Sequence, residues 1–269
     1  MTIDPSTILL TGRVAVVTGA GSGIGRGVAA GMAAFGARVA IWERDPQTCA
    51  AAAESIGALG IVTDVRDSAQ VDAALQRTTA ELGTPTILVN NAGGVFSSPL
   101  LDTSENGWDA LYKANLRHVL LCTQRVAREL VSAKLPGSVI SLTSIEGVRA
   151  APGYAAYAAA KAGVINYTKT AALELATHGI RVNAIAPDIT LTEGLERLGG
   201  EGALTGMKSV VPMGRPGHVD EIAGVAVFLA SDMAAYLTGQ TLHVDGGTHA
   251  AGGWYHDPLT GDYRLGPSG

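Results

Sequence analysis

Charge, sulfur and aromatic rings are all scarce in this chain of 269 residues. Asp, Glu, Lys and Arg together make up 16% and Phe, Trp and Tyr 5%, against 47% hydrophobic residues. Such a chain can bury a large core and is not of the disordered or collagen-like classes. The two cysteines, Cys49 and Cys122, form no Cys-x-x-Cys, and the six histidines include no His-x-x-x-His pair. Neither a disulfide framework nor a metal site is indicated, and a reducing compartment is expected. Lys and Arg never cluster, and acidic residues outnumber basic ones by 24 to 19, which removes the footprint of a nucleic-acid binder. No apolar run reaches the roughly 18 residues of a membrane span. The first ten residues carry Asp4 and Pro5 and do not read as a signal peptide. The expectation is a soluble cytoplasmic protein without nucleic-acid or membrane partners.

What the chain has instead is a rhythm. Short β-branched runs at 14–18, 38–43, 60–63, 87–90, 138–143, 181–185 and 241–244 alternate with alanine-rich amphipathic stretches near 25–35, 48–55, 68–82, 108–132, 154–177 and 219–230. Most of the short runs are continuously apolar, as strands covered on both faces should be. Repeated βαβ units of this kind predict an α/β fold: one doubly wound parallel sheet of about seven strands with helices on both faces, in a single domain over 1–247. Two regions break the rhythm. The segment 191–211 contains Gly194, Gly199, Gly200, Gly202 and Gly206 and reads as a lid. The tail 248–269 carries Trp254, Tyr255 and His256 among glycines, too aromatic for a plain linker, and is expected to pack on something.

The first strand runs into Thr18-Gly19-Ala20-Gly21-Ser22-Gly23-Ile24-Gly25. Backbone amides at a helix start, freed of side-chain bulk by glycine, can approach a pyrophosphate, and the helix dipole favours its charge. The spacing is Thr-Gly-x-x-x-Gly-x-Gly; the commoner Gly-x-Gly-x-x-Gly does not fit, since Val28 stands three past Gly25. Glu43 closes the second strand, where a carboxylate can bind both ribose hydroxyls and repel a 2′-phosphate, which argues for NAD. Arg44 beside it could instead pair with that phosphate, so NADP stays open.

Tyr157-Ala158-Ala159-Ala160-Lys161 stacks a phenol and an ammonium at i and i+4 on one helix face. A fixed cation favours the phenolate of a group whose free pKa is about 10, and so makes it a usable general acid/base. Alone the pattern is common by chance and equally describes a surface pair. Ser144 ends the preceding strand, where its hydroxyl could polarise a carbonyl beside Tyr157.

Taken together, Thr18 to Gly25, Asn90-Asn91-Ala92-Gly93, Asn115, Ser144, Tyr157 and Lys161 resemble, in order and spacing, the short-chain dehydrogenase/reductase family, over residues 12–247. The resemblance implies a Rossmann-type fold and roles for these residues. Tyr157 would exchange the proton with the substrate oxygen and Ser144 would stabilise that oxygen. Lys161 would lower the tyrosine pKa and bind the nicotinamide ribose, and Asn115 would hold a relay water. Gly19, Ser22, Gly23, Ile24 and Gly25 would cradle the pyrophosphate, Asp64 and Val65 would contact adenine, and Asn91, Ala92 and Gly93 would line the cleft. Pro187, Thr190 and Thr192 match a segment that gathers the carboxamide, but Asp188 replaces the glycine usual there. A homotetramer is implied by analogy, and the aromatic Trp254 and Tyr255 lead to the expectation that the tail reaches a neighbouring subunit.

Three functions compete. The leading one is an NAD-dependent dehydrogenase interconverting a secondary alcohol and a ketone. An NADPH-dependent reductase of 3-oxoacyl thioesters on a carrier protein is the second, made less attractive by the acidic balance, Glu43 and Glu146. A non-catalytic cofactor-binding module is the third, and the presence of Asn115, Ser144, Tyr157 and Lys161 speaks against it. The pocket candidates Gly94, Val95, Phe96, Glu146, Arg149 and Tyr154 are mostly apolar with two opposite charges. Arg149 could hold a substrate carboxylate or simply pair with Glu146.

Overall fold

A computed structural model describes residues 4–193, 210–257 and 259–265. The strands are β1 (Val14–Thr18), β2 (Arg38–Glu43), β3 (Leu59–Val62), β4 (Ile87–Asn90), β5 (Gly137–Leu142), β6 (Ile180–Pro187), β7 (Thr190–Leu191), β8 (Gly217–His218), β9 (Thr241–Val244), β10 (Trp254–His256) and β11 (Tyr263–Leu265). Seven of them form one parallel sheet in the order β3-β2-β1-β4-β5-β6-β9. All seven coincide with the apolar runs of the sequence to within two residues at either end. β1, β4 and β5 are buried at every position, because helices cover both faces.

On one face α1 (Gly23–Ala34) and α7 (Val219–Ala230) pack Val28, Met32, Ile222 and Val227 against Val17, Ile41 and Ile185. On the other, α3 (Ser68–Leu82) and α5 (His118–Ala133) pack Val71, Leu75, Val126 and Leu130 against Trp42, Leu88 and Val182. Trp42 is fully buried, and its indole N–H is satisfied by the Thr78 hydroxyl at 3.1 Å. The chain winds outward from β1 to β3, returns, and continues from β4 to β9. A crevice therefore opens at the carboxyl ends of β1 and β4, where the winding reverses.

Three features depart from the sequence reading. The helical stretch expected at 108–132 begins earlier, as α4 (Glu105–Tyr112), because the Ser104 hydroxyl caps it by accepting from the Gly107 amide at 3.2 Å. It then loosens into a π turn, Lys113–Arg117, before α5. The tail is ordered locally, as a short helix α8 (Thr248–Ala251) and an antiparallel hairpin of β10 and β11. The expected lid falls mostly at 194–209, outside the described residues. Among the described residues no helix is long and apolar enough to cross a membrane.

Candidate active site

The crevice is a cleft of about 600 Å³ that runs from Glu43, Arg44, Asp64, Val65 and Arg66 at one end to Asn115, Tyr157 and Lys161 at the other. Its nucleotide-sized end is built from backbone. Gly19 takes φ +63°, and a Cβ there would stand 2.7 Å from the Cα of Ala92. A Cβ on Gly25 would overlap the Asn91 side-chain amide and the Gly19 carbonyl. Glycine is thus required for the close approach of the turn to the loop after β4. That loop is held by Thr18, whose hydroxyl accepts from the Asn91 and Ala92 amides at 3.0 Å each, and by Asn91, whose Nδ2 donates to the Thr18 and Gly19 carbonyls at 2.9 Å. Ser22 makes no side-chain capping bond to α1, so the first-turn amides of this helix stay open to an anion.

Glu43 is fixed rather than free. Its carboxylate accepts from the amides of Gly21 at 3.1 Å, Arg44 at 2.7 Å and Asp45 at 3.0 Å. The Arg44 guanidinium, by contrast, makes no hydrogen bond or salt bridge among the described residues. Asp64 is gripped by Arg66, whose Nε lies 2.9 Å and 3.1 Å from its two carboxylate oxygens. That hydrogen-bonded guanidinium lowers the Asp64 pKa.

At the other end the site is built from buried side chains. Lys161, on α6 (Ala155–Ala176), donates from Nζ to the Leu142 carbonyl at 2.8 Å and lies 5.6 Å from the centroid of the Tyr157 ring. Burial lowers its pKa to about 8. Ser144 follows β5 by two residues and caps a short turn, its Oγ accepting from the Glu146 amide at 3.2 Å. The cap leaves its O–H as a donor. β5 is pinned to α6 by the Thr143 hydroxyl, which donates to the Lys161 carbonyl at 2.8 Å. Gly147 lets the turn lie on α6, since a Cβ there would stand 3.0 Å from the Lys161 carbonyl carbon. The π turn aims Asn115 into the same corner; its Nδ2 donates to the Gly94 and Leu111 carbonyls at 2.8 Å and 3.0 Å, and its Oδ1 accepts from the Gly94 amide at 3.3 Å.

The chain as a whole is matched by known proteins. The family model described as "Enoyl-(Acyl carrier protein) reductase" matches residues 19–249. A Synechocystis protein named 3-oxoacyl-[acyl-carrier-protein] reductase is 41% identical over 245 residues, covering 88% of this chain and 97% of its own. This chain belongs to the short-chain dehydrogenase/reductase family. Solved structures agree: a short-chain type dehydrogenase/reductase from Mycobacterium marinum superposes with TM-score 0.85 at 36% identity, over 90% of this chain and 98% of its own. A gluconate 5-dehydrogenase from Burkholderia cenocepacia, in complex with NADP and tartrate, does so with TM-score 0.85 at 38% identity, over 91% and 98%. The chain is an oxidoreductase of this family with a cleft that fits a nicotinamide dinucleotide.

Most residues expected to meet the cofactor do line the cleft: Gly19, Ser22, Ile24, Glu43, Arg44, Asp64, Val65, Asn91, Ala92, Gly93 and Pro187. Others do not. Gly23 and Gly25 shape the turn from behind, and the Thr190 hydroxyl turns away from the cleft to donate to the Asp188 carbonyl at 3.0 Å. Thr192 comes to the glycine turn, its methyl 3.4 Å from where a Cβ on Gly23 would stand. The lining also includes Arg66, Leu111 and Ala114, which no motif marks. Against the lowering that the resemblance gives to Lys161, burial raises the Tyr157 pKa, with a hydrogen bond to Ser144 opposing and the charge of Glu146 reinforcing. The i+4 spacing foretold the cation and could not foretell the desolvation. Arg149 pairs with Glu146 at 2.7 Å, the blander of its two readings.

Proposed function

We propose that this enzyme reduces the ketone of a 3-oxoacyl thioester to the 3-hydroxyacyl thioester, with Tyr157 as the general acid. The observation that carries the proton-transfer role is the half-buried Tyr157 ring, which faces the Lys161 Nζ at 5.6 Å. A tyrosine whose pKa is raised by burial holds its proton at neutral pH and is poised to give it to a carbonyl oxygen. The name carried by the Synechocystis relative favours this narrower substrate over the general alcohol/ketone reading, whose chemistry it shares.

When bound, a nicotinamide cofactor would supply the hydride that the carbonyl carbon receives. The chain's own part is at the oxygen. Ser144, its acceptor side held by the Glu146 amide, donates to that oxygen while Tyr157 transfers its proton, and the negative charge then rests on the phenolate. Lys161 faces that ring at 5.6 Å and stabilises the phenolate, since at pH 7 a group with a pKa of about 8 is mostly protonated. Asn115, with both amide hydrogens engaged by backbone carbonyls, clamps Gly94 in the cleft wall and offers a relay water only a lone pair of Oδ1.

Glu43 supports NAD(H) as the cofactor. Three backbone amides fix its carboxylate in the cleft wall, so its charge cannot swing away from a 2′-phosphate. NADP(H) is the second reading, favoured by the unpaired guanidinium of Arg44 and by the NADP bound to the Burkholderia neighbour. Parallel titrations with NADH and NADPH, read by energy transfer from tryptophan, decide between them. Glu43→Gln is expected to shift the affinity ratio toward NADPH by about tenfold, the worth of about 1.4 kcal/mol; an unchanged ratio removes Glu43 as the selector. The substrate reading is tested with acetoacetyl thioesters and either cofactor. Turnover of simple ketones without turnover of any thioester would overturn it. Assembly as a homotetramer, with the 248–269 tail reaching a neighbour, completes the proposal and is checked by sedimentation of the full chain and of a chain ending at Gly247.

A further inference from the structure

Asp188 follows Pro187 of the cleft wall, yet its side chain is only 7% exposed. Its Oδ1 lies 3.6 Å from Nη2 of Arg149, an ion pair too long to be a hydrogen bond. Its Oδ2 is buried without a hydrogen-bond partner, and the nearby Thr248 hydroxyl donates to the Asp245 carbonyl at 2.8 Å. Burial raises the Asp188 pKa, opposed by the Thr248 hydroxyl and the charge of Arg149. Arg149 itself is held by Glu146, to which Nη2 and Nε donate at 2.7 Å and 3.3 Å. Burial works against the arginine's charge, but the Glu146 hydrogen bond and the charges of Glu146, Asp188 and Asp245 more than offset it and raise its pKa. One guanidinium is thus surrounded by three carboxylates from the loops after β5, β6 and β9. The group adjoins the reacting atoms: the amide of Glu146 bonds Ser144 Oγ, and the charge of Glu146 is felt at Tyr157.

We infer that Asp188 and Glu146 act as a charge filter on the substrate, neutralising Arg149 and leaving excess negative charge beside Ser144, so that the site takes ketones flanked by an uncharged group and turns away those bearing a carboxylate. A guanidinium already paired on two sides has little left to offer a substrate anion. The excess of carboxylate over guanidinium charge meanwhile repels such an anion across a cleft that solvent screens only in part. The filter rests on the reading of Ser144 and Tyr157 as the reacting site. It deepens the proposed function, since a 3-oxoacyl thioester passes the filter and the free 3-oxo acid does not.

The test uses matched ketones differing in one charge, acetoacetate and methyl acetoacetate, with S-acetoacetyl-N-acetylcysteamine as the thioester. Dissociation constants are measured calorimetrically on the full-length enzyme saturated with NAD+, which needs no turnover, and kcat/KM is added for whichever ketones are reduced. The wild-type protein is expected to bind the ester at least about tenfold more tightly than the acid. Asp188→Asn is expected to close that gap about tenfold, mainly by tightening acetoacetate; Glu146→Gln should act in the same direction, and 0.5 M salt should narrow the wild-type gap. Should Asp188→Asn fail to fold, Asp188→Gly and Glu146→Gln carry the comparison. Equal binding of acid and ester by the wild type overturns the filter. So does a variant that weakens both ketones in parallel, the mark of a brace between loops. Failure of the thioester reading is separate: it shows as no thioester reduction while the ester-to-acid ratio still responds to Asp188→Asn.

Discussion

The two ends of the cleft are built by opposite means. At the nucleotide end the wall is main chain. Gly19 and Gly25 bring the turn against the loop after β4, and side chains such as Thr18 and Asn91 serve to hold backbone in place. At the catalytic end the wall is side chain, and backbone serves to hold it: Leu142 fixes Lys161, Gly94 and Leu111 fix Asn115, and Glu146 fixes Ser144. The first construction tolerates no added bulk, and the second tolerates no lost proton or donor. A substitution should therefore damage binding at one end and chemistry at the other.

The largest expected effect is at Tyr157. Tyr157→Phe removes one hydroxyl from a half-buried ring and leaves the glycine turn untouched, so turnover should fall by about 10³-fold while the affinity for reduced cofactor stays within about twofold. Steady-state kinetics beside a fluorescence titration read both quantities. Near-full turnover would refute the proton-transfer role, and a large loss of cofactor affinity would show that the two ends are not separable.

Gly19→Ala is the converse. A methyl must enter a backbone held at φ +63° with its Cβ 2.7 Å from the Cα of Ala92. The strain is about 1–3 kcal/mol, released by shifting the turn. The cofactor dissociation constant should rise by about tenfold or more, with kcat at saturating cofactor within about threefold of wild type. A fall in kcat with affinity intact would mean that the turn positions the chemistry directly.

The same contrast explains what could be read in advance. The sheet was legible because strands buried on both faces must be continuous apolar runs, and the glycine turn because close backbone approach admits no other residue. Tyr157 and Lys161 were legible as a pair because i+4 spacing is geometry. Their energetics were not: the phenol's raised pKa comes from the packing of residues distant in sequence. The π turn at Lys113–Arg117 leaves no mark, since one inserted residue barely alters the apolar period of the helices beside it. Nor could Thr190 be seen to turn inward, because its hydroxyl answers a carbonyl two residues away. The Asp188–Arg149 pair joins positions 39 apart, and no local pattern links them.

The smallest effect sharpens the comparison by isolating the lysine's desolvation from its chemistry. Burial lowers the Lys161 pKa from 10.5 to about 8, so between those values the unfolded chain holds a proton that the folded chain has released. Stability due to this group therefore rises with pH across that window, and the cost of burying the charge is fully present below pH 8. In Lys161→Met that dependence is absent. The wild type should gain on the variant by about 1 kcal/mol per pH unit between pH 8 and 10, measured by chemical denaturation without cofactor. Two groups that face this corner do not blur the result. His118, buried and pushed down to about 3, titrates far below the window. Tyr157, raised by burial, keeps its proton through the window in the wild type, and losing the lysine's charge in the variant only raises it further. A flat difference from pH 8 to 10 would mean that Lys161 keeps an ordinary ammonium, and that the catalytic end is wetter than its packing implies.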